Sequence, residues 1–224
     1  MFGPELFEFL VDVSFNNRRD WFEANKDRYE REVREPARAF IRAMGERLPE
    51  LSAHLVANDK RSGGSLMRIY RDTRFSKDKS PYKTNVGIQF RHTAGKDVHA
   101  PGLYVHLSAD RCFLGAGMWR PASAELRQIR TAVASEPKRF LTAIEAPAFR
   151  GAFTLSGDSL KRAPKGFDAQ HPQIEHLRRK DFIGISELEL DDVMGDALVP
   201  HAMERFASSA PLMAFLCDAI GQPW

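Results

Sequence analysis

Apolar positions over the first fifty residues recur at three- and four-residue steps. After Pro4, the side chains of Leu6, Phe7, Phe9, Leu10 and Val13 share one face of a short amphipathic helix, and residues 14–17 are loop chemistry that ends it. A second stripe runs through Phe22, Tyr29, Val33, Ala37, Phe40, Ile41, Met44 and Leu48. Pro36 interrupts it. A proline has no N–H to donate and disfavours helical geometry in the preceding residue, so two helices, or one helix kinked at Pro36, are expected. Residues 59–65, with Gly63 and Gly64, read as a loop.

From residue 66 the period falls to two. Met67 and Ile69 alternate with Arg68 and Tyr70, Val86, Ile88 and Phe90 with Gly87 and Gln89, and Leu103, Val105 and Leu107 with Tyr104 and His106, the pattern of half-buried strands. Ser108-Ala109-Asp110-Arg111 is then the turn of a hairpin leading into a strand over 112–118, because strands this close in sequence pair antiparallel. Pro121 is placed to begin a helix carrying Leu126, Ile129 and Val133, and Pro137 another with Phe140, Leu141 and Ile144. Residues 153–155 and 182–185 read as late edge strands, and the tail from Leu190 as helix divided at Pro200 and Pro211. Helices, then strands, then helices give an α+β fold. The expectation is a single domain over residues 1–224, a largely antiparallel sheet with N-terminal and C-terminal helices packed on it.

With 224 residues, 43% of them apolar and 28% charged, such a domain has ample core. It buries about 70% of its unfolded surface and needs no disulfide or metal to hold together. Cys112 and Cys217 form no C-x-x-C pair, the N-terminus lacks the positive charge of a signal peptide, and no apolar run approaches a membrane span, so a cytoplasmic protein without membrane contact is expected. The pI of 8.9 says little by itself. The distribution of charge says more: residues 60–83 carry eight basic and two acidic side chains, whereas the other 200 residues carry 25 basic and 28 acidic.

The run Arg68-Ile-Tyr-Arg-Asp-Thr-Arg-Phe-Ser-Lys-Asp-Lys-Ser-Pro-Tyr-Lys83 concentrates that surplus. Strand alternation places Arg68, Tyr70, Asp72 and Arg74 on one face and Arg71 on the face of Ile69, where a cation requires a partner. Asp78 is the nearest acid for Arg71, which is expected to be mostly buried. Six cations exceed two aspartates, which points to an external anion. Guanidinium groups suit bidentate capture of phosphate or carboxylate. The candidate anion-binding set is Arg68, Arg71, Arg74, Lys77, Lys79 and Lys83, with Arg120, where a glycine-rich strand exit feeding a helix leaves backbone N–H groups free.

This stretch resembles the signature of a widespread, mostly bacterial family catalogued as a domain of unknown function. Asn16-Asn17-Arg18 with Trp21-Phe22, Gly115-x-Gly117-x-Trp119-x-Pro121, and Pro164-Lys165-Gly166-Phe167-Asp168 with His171-Pro172 resemble its other blocks in the same order. The resemblance spans nearly the whole chain and implies a single domain. It assigns no activity, cofactor or catalytic residue.

Other constellations carry less. Gly157-Asp158-Ser159-Leu160 with Asp168-x-x-His171 spells an esterase motif, but the pieces lie within fifteen residues and late in the chain, and turn chemistry accounts for them. Gly115-x-Gly117 begins a dinucleotide fingerprint that fails at Arg120. His92, His99 and His106 share no common geometry and the cysteines form no ligand pair, so no metal and no cofactor are expected. Nothing fixes a nucleophile. Whether the protein is an enzyme stays open, with Asp72, His106 and His171 as the titratable groups available for proton transfer.

Three readings follow in order. A pocket for a small phosphate- or carboxylate-bearing ligand comes first. Nucleic-acid binding along an exposed cationic face comes second. A structural or protein-interaction role, with the cluster salt-bridged internally, comes third. The sequence does not speak to oligomeric state.

Overall fold

The computed structural model describes residues 1–74, 76–95 and 99–224. Six strands among them, β1 (Leu55–Val56), β2 (Asn85–His92), β3 (Gly102–Ser108), β4 (Cys112–Met118), β5 (Thr154–Ser156) and β6 (Phe182–Leu188), form one sheet in the order β1-β2-β3-β4-β6-β5. Every neighbouring pair is antiparallel, as an α+β fold of this kind requires. The hairpin between β3 and β4 turns at residues 108–111, where the Ser108 N–H donates to the Arg111 carbonyl at 3.1 Å.

The two-residue period separates the faces of the sheet. Val86, Ile88 and Phe90, Leu103, Val105 and Leu107, and Leu114, Ala116 and Met118 point to one side and are buried. That side receives the helices. α1 (Pro4–Phe15), α2 (Arg19–Ala24), α3 (Lys26–Tyr29) and α4 (Glu35–Arg47) precede the sheet, and α5 (Ser123–Ser135), α6 (Pro137–Glu145), α7 (Pro147–Ala152), α8 (Ile174–Leu177), α9 (Leu190–Val193) and α10 (Leu198–Ala219) follow β4. The long α10 packs on β4, α4, α5, α6 and α7, and its Leu212, Met213, Phe215 and Leu216 join one continuous buried cluster with the strands and α1. No helix among the described residues is long and apolar enough to cross a membrane.

Pro36 does disturb its helix, one turn before the proline itself. Residues Glu30–Arg34 form a π-helical turn between α3 and α4, with the Glu35 N–H donating to the Glu30 carbonyl. Pro36 removes the donor that the Glu32 carbonyl would use, and the wider turn absorbs the fault.

Four expectations need correction. Residues 66–70 are not a continuous strand. They run antiparallel to residues 82–89 through two bridges, Leu66 with Ile88 of β2 and Tyr70 with Tyr82 just before it, with the Met67 N–H donating to the Gly87 carbonyl and the Gln89 N–H to the Ser65 carbonyl, both at 2.9 Å. The far end of the same β2 edge is taken by β1, opposite Arg91 and His92, so only half an edge is left for this segment. Second, β6 is not an edge strand. It sits between β4 and β5, and β5 is the edge. Third, Pro211 lies inside α10 without dividing it, and Pro200 falls in its first turn, where no donor is needed. The break comes earlier, around Gly195 at φ +63°. Burial of α10 on both sides of Pro211 outweighs a lost bond of about 3 kcal/mol. Fourth, Pro121 precedes α5 by two residues, and the Ala122 N–H is bonded by Glu125 Oε2 at 3.2 Å.

Gly117 tests this account of the sheet. Its φ is +134°, and a Cβ there would stand 2.0 Å from the Phe182 carbonyl oxygen across the β4–β6 ladder. Gly117→Ala is expected to lower stability by about 2 kcal/mol or more in urea denaturation. Gly151→Ala, in α7 with open space around it, is the control, expected to be neutral or stabilising by up to about 1 kcal/mol. A loss below about 0.5 kcal/mol at Gly117 would contradict the tight β4–β6 contact.

Candidate functional site

One side chain hydrogen-bonds the basic segment to the helical layer, and a ring contact accompanies it. Asn17 Nδ2 donates to the Tyr82 carbonyl and the Tyr82 N–H donates to Asn17 Oδ1, both at 3.0 Å. Its neighbour Asn16 closes α1 by donating to the Asp12 carbonyl through both its backbone N–H and its Nδ2, at 3.0 Å each. The Tyr82 ring stacks on Phe22 with centroids 4.1 Å apart and planes 18° from parallel, and Phe22 is itself buried against Phe9 and Tyr29. Tyr82 is therefore held by its backbone and by its ring. Two further bonds, from the Arg71 N–H to the Pro81 carbonyl at 2.9 Å and from the Lys83 N–H to the Ile69 carbonyl at 2.7 Å, bind the two arms of the segment together.

This anchoring joins residues 17–19 to residues 70–73 and 79–82 around a groove of about 640 Å³. Among the described residues its cations are Arg18, Arg19, Arg71 and Lys79, and Glu23 is the only acid lining it. Arg71 pairs with Asp78 and Ser80 through Nη1, while its Nε and Nη2 donate to no described residue. Asp78 also receives the Ser80 N–H at 2.9 Å, and the Ser80 hydroxyl, followed by the Arg71 guanidinium, holds its pKa well below the usual carboxylate range. Lys79 donates to the Thr73 carbonyl at 2.8 Å. Arg18 pairs with Asp20, both side chains more than half exposed, and Arg19 makes no ion pair with a described residue.

The partner expected for Arg71 is the one found. The burial is not: the Arg71 side chain is 29% exposed and that of Asp78 61%. This pair belongs with surface ion pairs, whose contribution is small, rather than with buried ones, because the segment lies on the rim of the sheet and not beneath it.

The other candidates are dispersed. Arg74 pairs with Asp72 through Nε at 3.0 Å and Nη2 at 2.7 Å, and this side-chain contact, with the Arg74 backbone N–H, lowers the Asp72 pKa to about 2. Asp72 is thus a fixed anion and a poor base. Arg68 and Lys77 are exposed. Lys83 is half-buried, and burial together with nearby Arg68 lowers its pKa. Arg120 lies apart, at φ +47°, its guanidinium carbon 4.9 Å from the centroid of the Trp119 ring. The free N–H groups expected there are taken by the protein's own carboxylate: buried Asp181 accepts the Arg120 N–H and the Asp158 N–H, each at 2.8 Å.

The three titratable candidates do not converge. His106 is on the sheet face opposite the helices, its Nδ1 3.2 Å from Tyr104 Oη, and burial lowers its pKa. His171 caps the approach to α8, accepting the Gln173 N–H on Nδ1 at 3.0 Å, and α8 packs on α5 in the helical layer. Ser159 bridges to Arg179 and bonds no histidine among the described residues. Sequence reasoning missed Arg19, which adjoins the Asn-Asn-Arg block, and missed Gln89 and Tyr104, the polar halves of strands whose apolar halves it read.

These features define an α+β protein whose basic segment is docked on its first helices. The chain belongs to the DUF2461 family of conserved hypothetical proteins, whose family model matches residues 5–215. No curated protein and no solved structure matches it.

The Asp72 pairing has a pH signature. A carboxylate whose pKa is lower in the folded than in the unfolded chain adds stability above its ordinary value of 3.8 and loses it as the pH falls through about 2. Titration of the Asp72 carboxyl carbon by NMR is expected to give a midpoint near 2. A midpoint at the ordinary 3.8 would mean that the Arg74 contact does not persist in solution.

Proposed function

We propose that the protein binds a small phosphate- or carboxylate-bearing ligand in the groove that residues 17–19 form with residues 70–73 and 79–82. One observation carries this reading. Two basic stretches some fifty residues apart in sequence meet across one groove that a single acid lines among the described residues, and part of the donor capacity of Arg19 and Arg71 is unused there. Local pairs hold the frame in shape, through Arg71 with Asp78 and Lys79 with the Thr73 carbonyl. Arg19 and the free edge of Arg71 then face the groove as donors for an anion's oxygens, in the forked geometry that suits phosphate or carboxylate. Tyr70 and Tyr82 supply ring surface for an organic portion beside the charge.

The same local pairing supports a structural role for Arg71, Arg74 and Lys79 in ordering their own segment. It leaves the reading of the groove intact, since the contacts of Arg71 and Lys79 use only some of their donors.

Calorimetric titration with inorganic phosphate, pyrophosphate and citrate tests the proposal. A charge-assisted hydrogen bond contributes about 1.5–3 kcal/mol, so Arg19→Ala and Lys79→Ala are each expected to weaken binding about tenfold or more. Arg120→Ala is expected to leave it unchanged. Absence of saturable binding at millimolar anion, or equal affinity in wild type and both groove variants, would overturn the assignment. So would preferential binding of a single-stranded oligonucleotide with steep salt dependence, which would place the cations on a nucleic-acid face instead.

A further inference from the structure

The sheet face turned away from the helices holds a second concavity of about 360 Å³, independent of the cationic groove. Its floor is opened by one missing side chain, at Gly115. On the central rung Gln89 stands opposite Tyr104, Tyr104 opposite Gly115, and Gly115 opposite Ile185. Gly87 faces His106 on the next rung, and on the other side Arg91 faces Gly102, which faces Gly117. Glycine is otherwise unfavourable within strands; at Gly87, Gly102 and Gly117 an added Cβ would stand 2.7 Å from Tyr104 Oη, 2.9 Å from the Phe90 carbonyl oxygen and 2.0 Å from the Phe182 carbonyl oxygen, so these three serve close packing, and it is Gly115 that opens the floor. At Gly115 an added Cβ would make only ordinary contacts, 3.5 Å to Tyr104 Cβ and 3.8 Å to Ile185 Cδ1, so the space above it is open.

Aromatic surfaces bound the trough at both ends. At one, His106 stacks on Phe113 with centroids 4.6 Å apart and planes 10° from parallel, and the Arg111 guanidinium, itself paired with Glu187, lies 4.6 Å from the Phe113 centroid. At the other, Trp119 is 43% exposed and stacks on His99 at 5.7 Å. Flat walls and a flat floor fit a flat occupant.

The polar groups state what that occupant carries. Tyr104 and His106 satisfy one another and are held neutral, since burial raises the Tyr104 pKa to about 12 and lowers that of His106. Gln89 Oε1 is buried, lines this face, and receives no hydrogen bond among the described residues, so it lacks a donor. Arg91 also lines the trough and makes no ion pair with a described residue, so it lacks an anion. Residues two apart on one strand face are about 6.5–7 Å apart, close to the length of a para-disubstituted benzene ring.

We propose that this trough binds a planar aromatic carboxylate with a hydroxyl or N–H donor at the far end of its ring, the donor meeting Gln89 Oε1 and the carboxylate meeting Arg91. Gln89 and Arg91 line the trough from β2, so the ring lies on the β2 side of Gly115, between the ends marked by Trp119 and Phe113.

The probe is 4-hydroxybenzoate, with benzoate and cyclohexanecarboxylate as comparisons, followed by Trp119 fluorescence and by ligand line-broadening in NMR. Wild type is expected to bind 4-hydroxybenzoate saturably, about tenfold more tightly than benzoate, which lacks the donor, and more tightly than the non-planar acid. Gly115→Val, which fills the trough with a residue suited to strands, is expected to abolish binding while circular dichroism and melting stay as in wild type. Arg91→Gln, which leaves the floor untouched, is expected to lose about tenfold or more, and Gln89→Leu to remove the preference for the hydroxyl. Three results would overturn the proposal. The first is no saturable binding at millimolar probe. The second is binding that survives Gly115→Val and Arg91→Gln but is lost in Arg19→Ala, which would place the probe in the cationic groove. The third is a concentration-dependent dimer abolished by Gly115→Val, which would show that a second copy of the chain covers this face.

Discussion

The placement of the basic segment rests on the carboxamide of Asn17. A side-chain amide presents one acceptor and two donors in a plane, the same complement that a β-ladder neighbour offers, and Asn17 uses it to pair with both backbone groups of Tyr82. An aspartate could accept but not donate there, and an alanine could do neither. This contact crosses 65 residues of sequence and joins the end of the first helix to the far arm of the basic segment. The Phe22–Tyr82 stack beside it links these hydrogen bonds to the core. Arg19, Arg71 and Lys79 share a groove because the segment cannot swing away from residues 17–19.

The sheet divides the molecule's labour by face. Its apolar positions are covered by helices, with α10 supplying the largest contact, and this face carries the stability. The opposite face carries Gln89, Tyr104, His106 and Arg91 among glycines. A side chain at Gly115 would fill the concavity, so the chain gives up β-propensity there and retains space, whereas Gly87, Gly102 and Gly117 allow close packing. The cationic groove and the trough are distinct in character: the first is polar and built from a tethered segment, the second is flat, nearly uncharged and built on the rigid ladder.

Much of this was legible in the chain and the rest was not, for physical reasons. Strands β2, β3 and β4 and their hairpin follow from two-residue alternation and a four-residue turn, both local signals. The Arg71–Asp78 pair was legible too, because strand parity and a short separation select it. Its exposure was not, since parity says which side a residue faces and nothing of how well that side is covered. The insertion of β6 beside β4 leaves no local trace, because an antiparallel strand arriving from 64 residues away is specified by the core and not by a turn. The same holds for Asp181, which fills the backbone donors near Arg120 across 61 residues, and for Asn17. Residues 66–70 misled in the other direction: their alternation is real, but β1 already occupies part of the edge they would extend.

Amide hydrogen exchange measures the tether directly. In the wild-type chain, without any ligand, the backbone amides of Tyr82 and Arg71 are expected to exchange slowly, on the scale of the amides within β2, because each donates a bond fixed by the Asn17 contact or its neighbour. In Asn17→Ala that protection is expected to fall to that of an open chain, while the amides of β3 and β4 keep theirs. Rapid exchange at Tyr82 in the wild type, or protection unchanged by Asn17→Ala, would contradict the claim that this one side chain holds the basic segment in place.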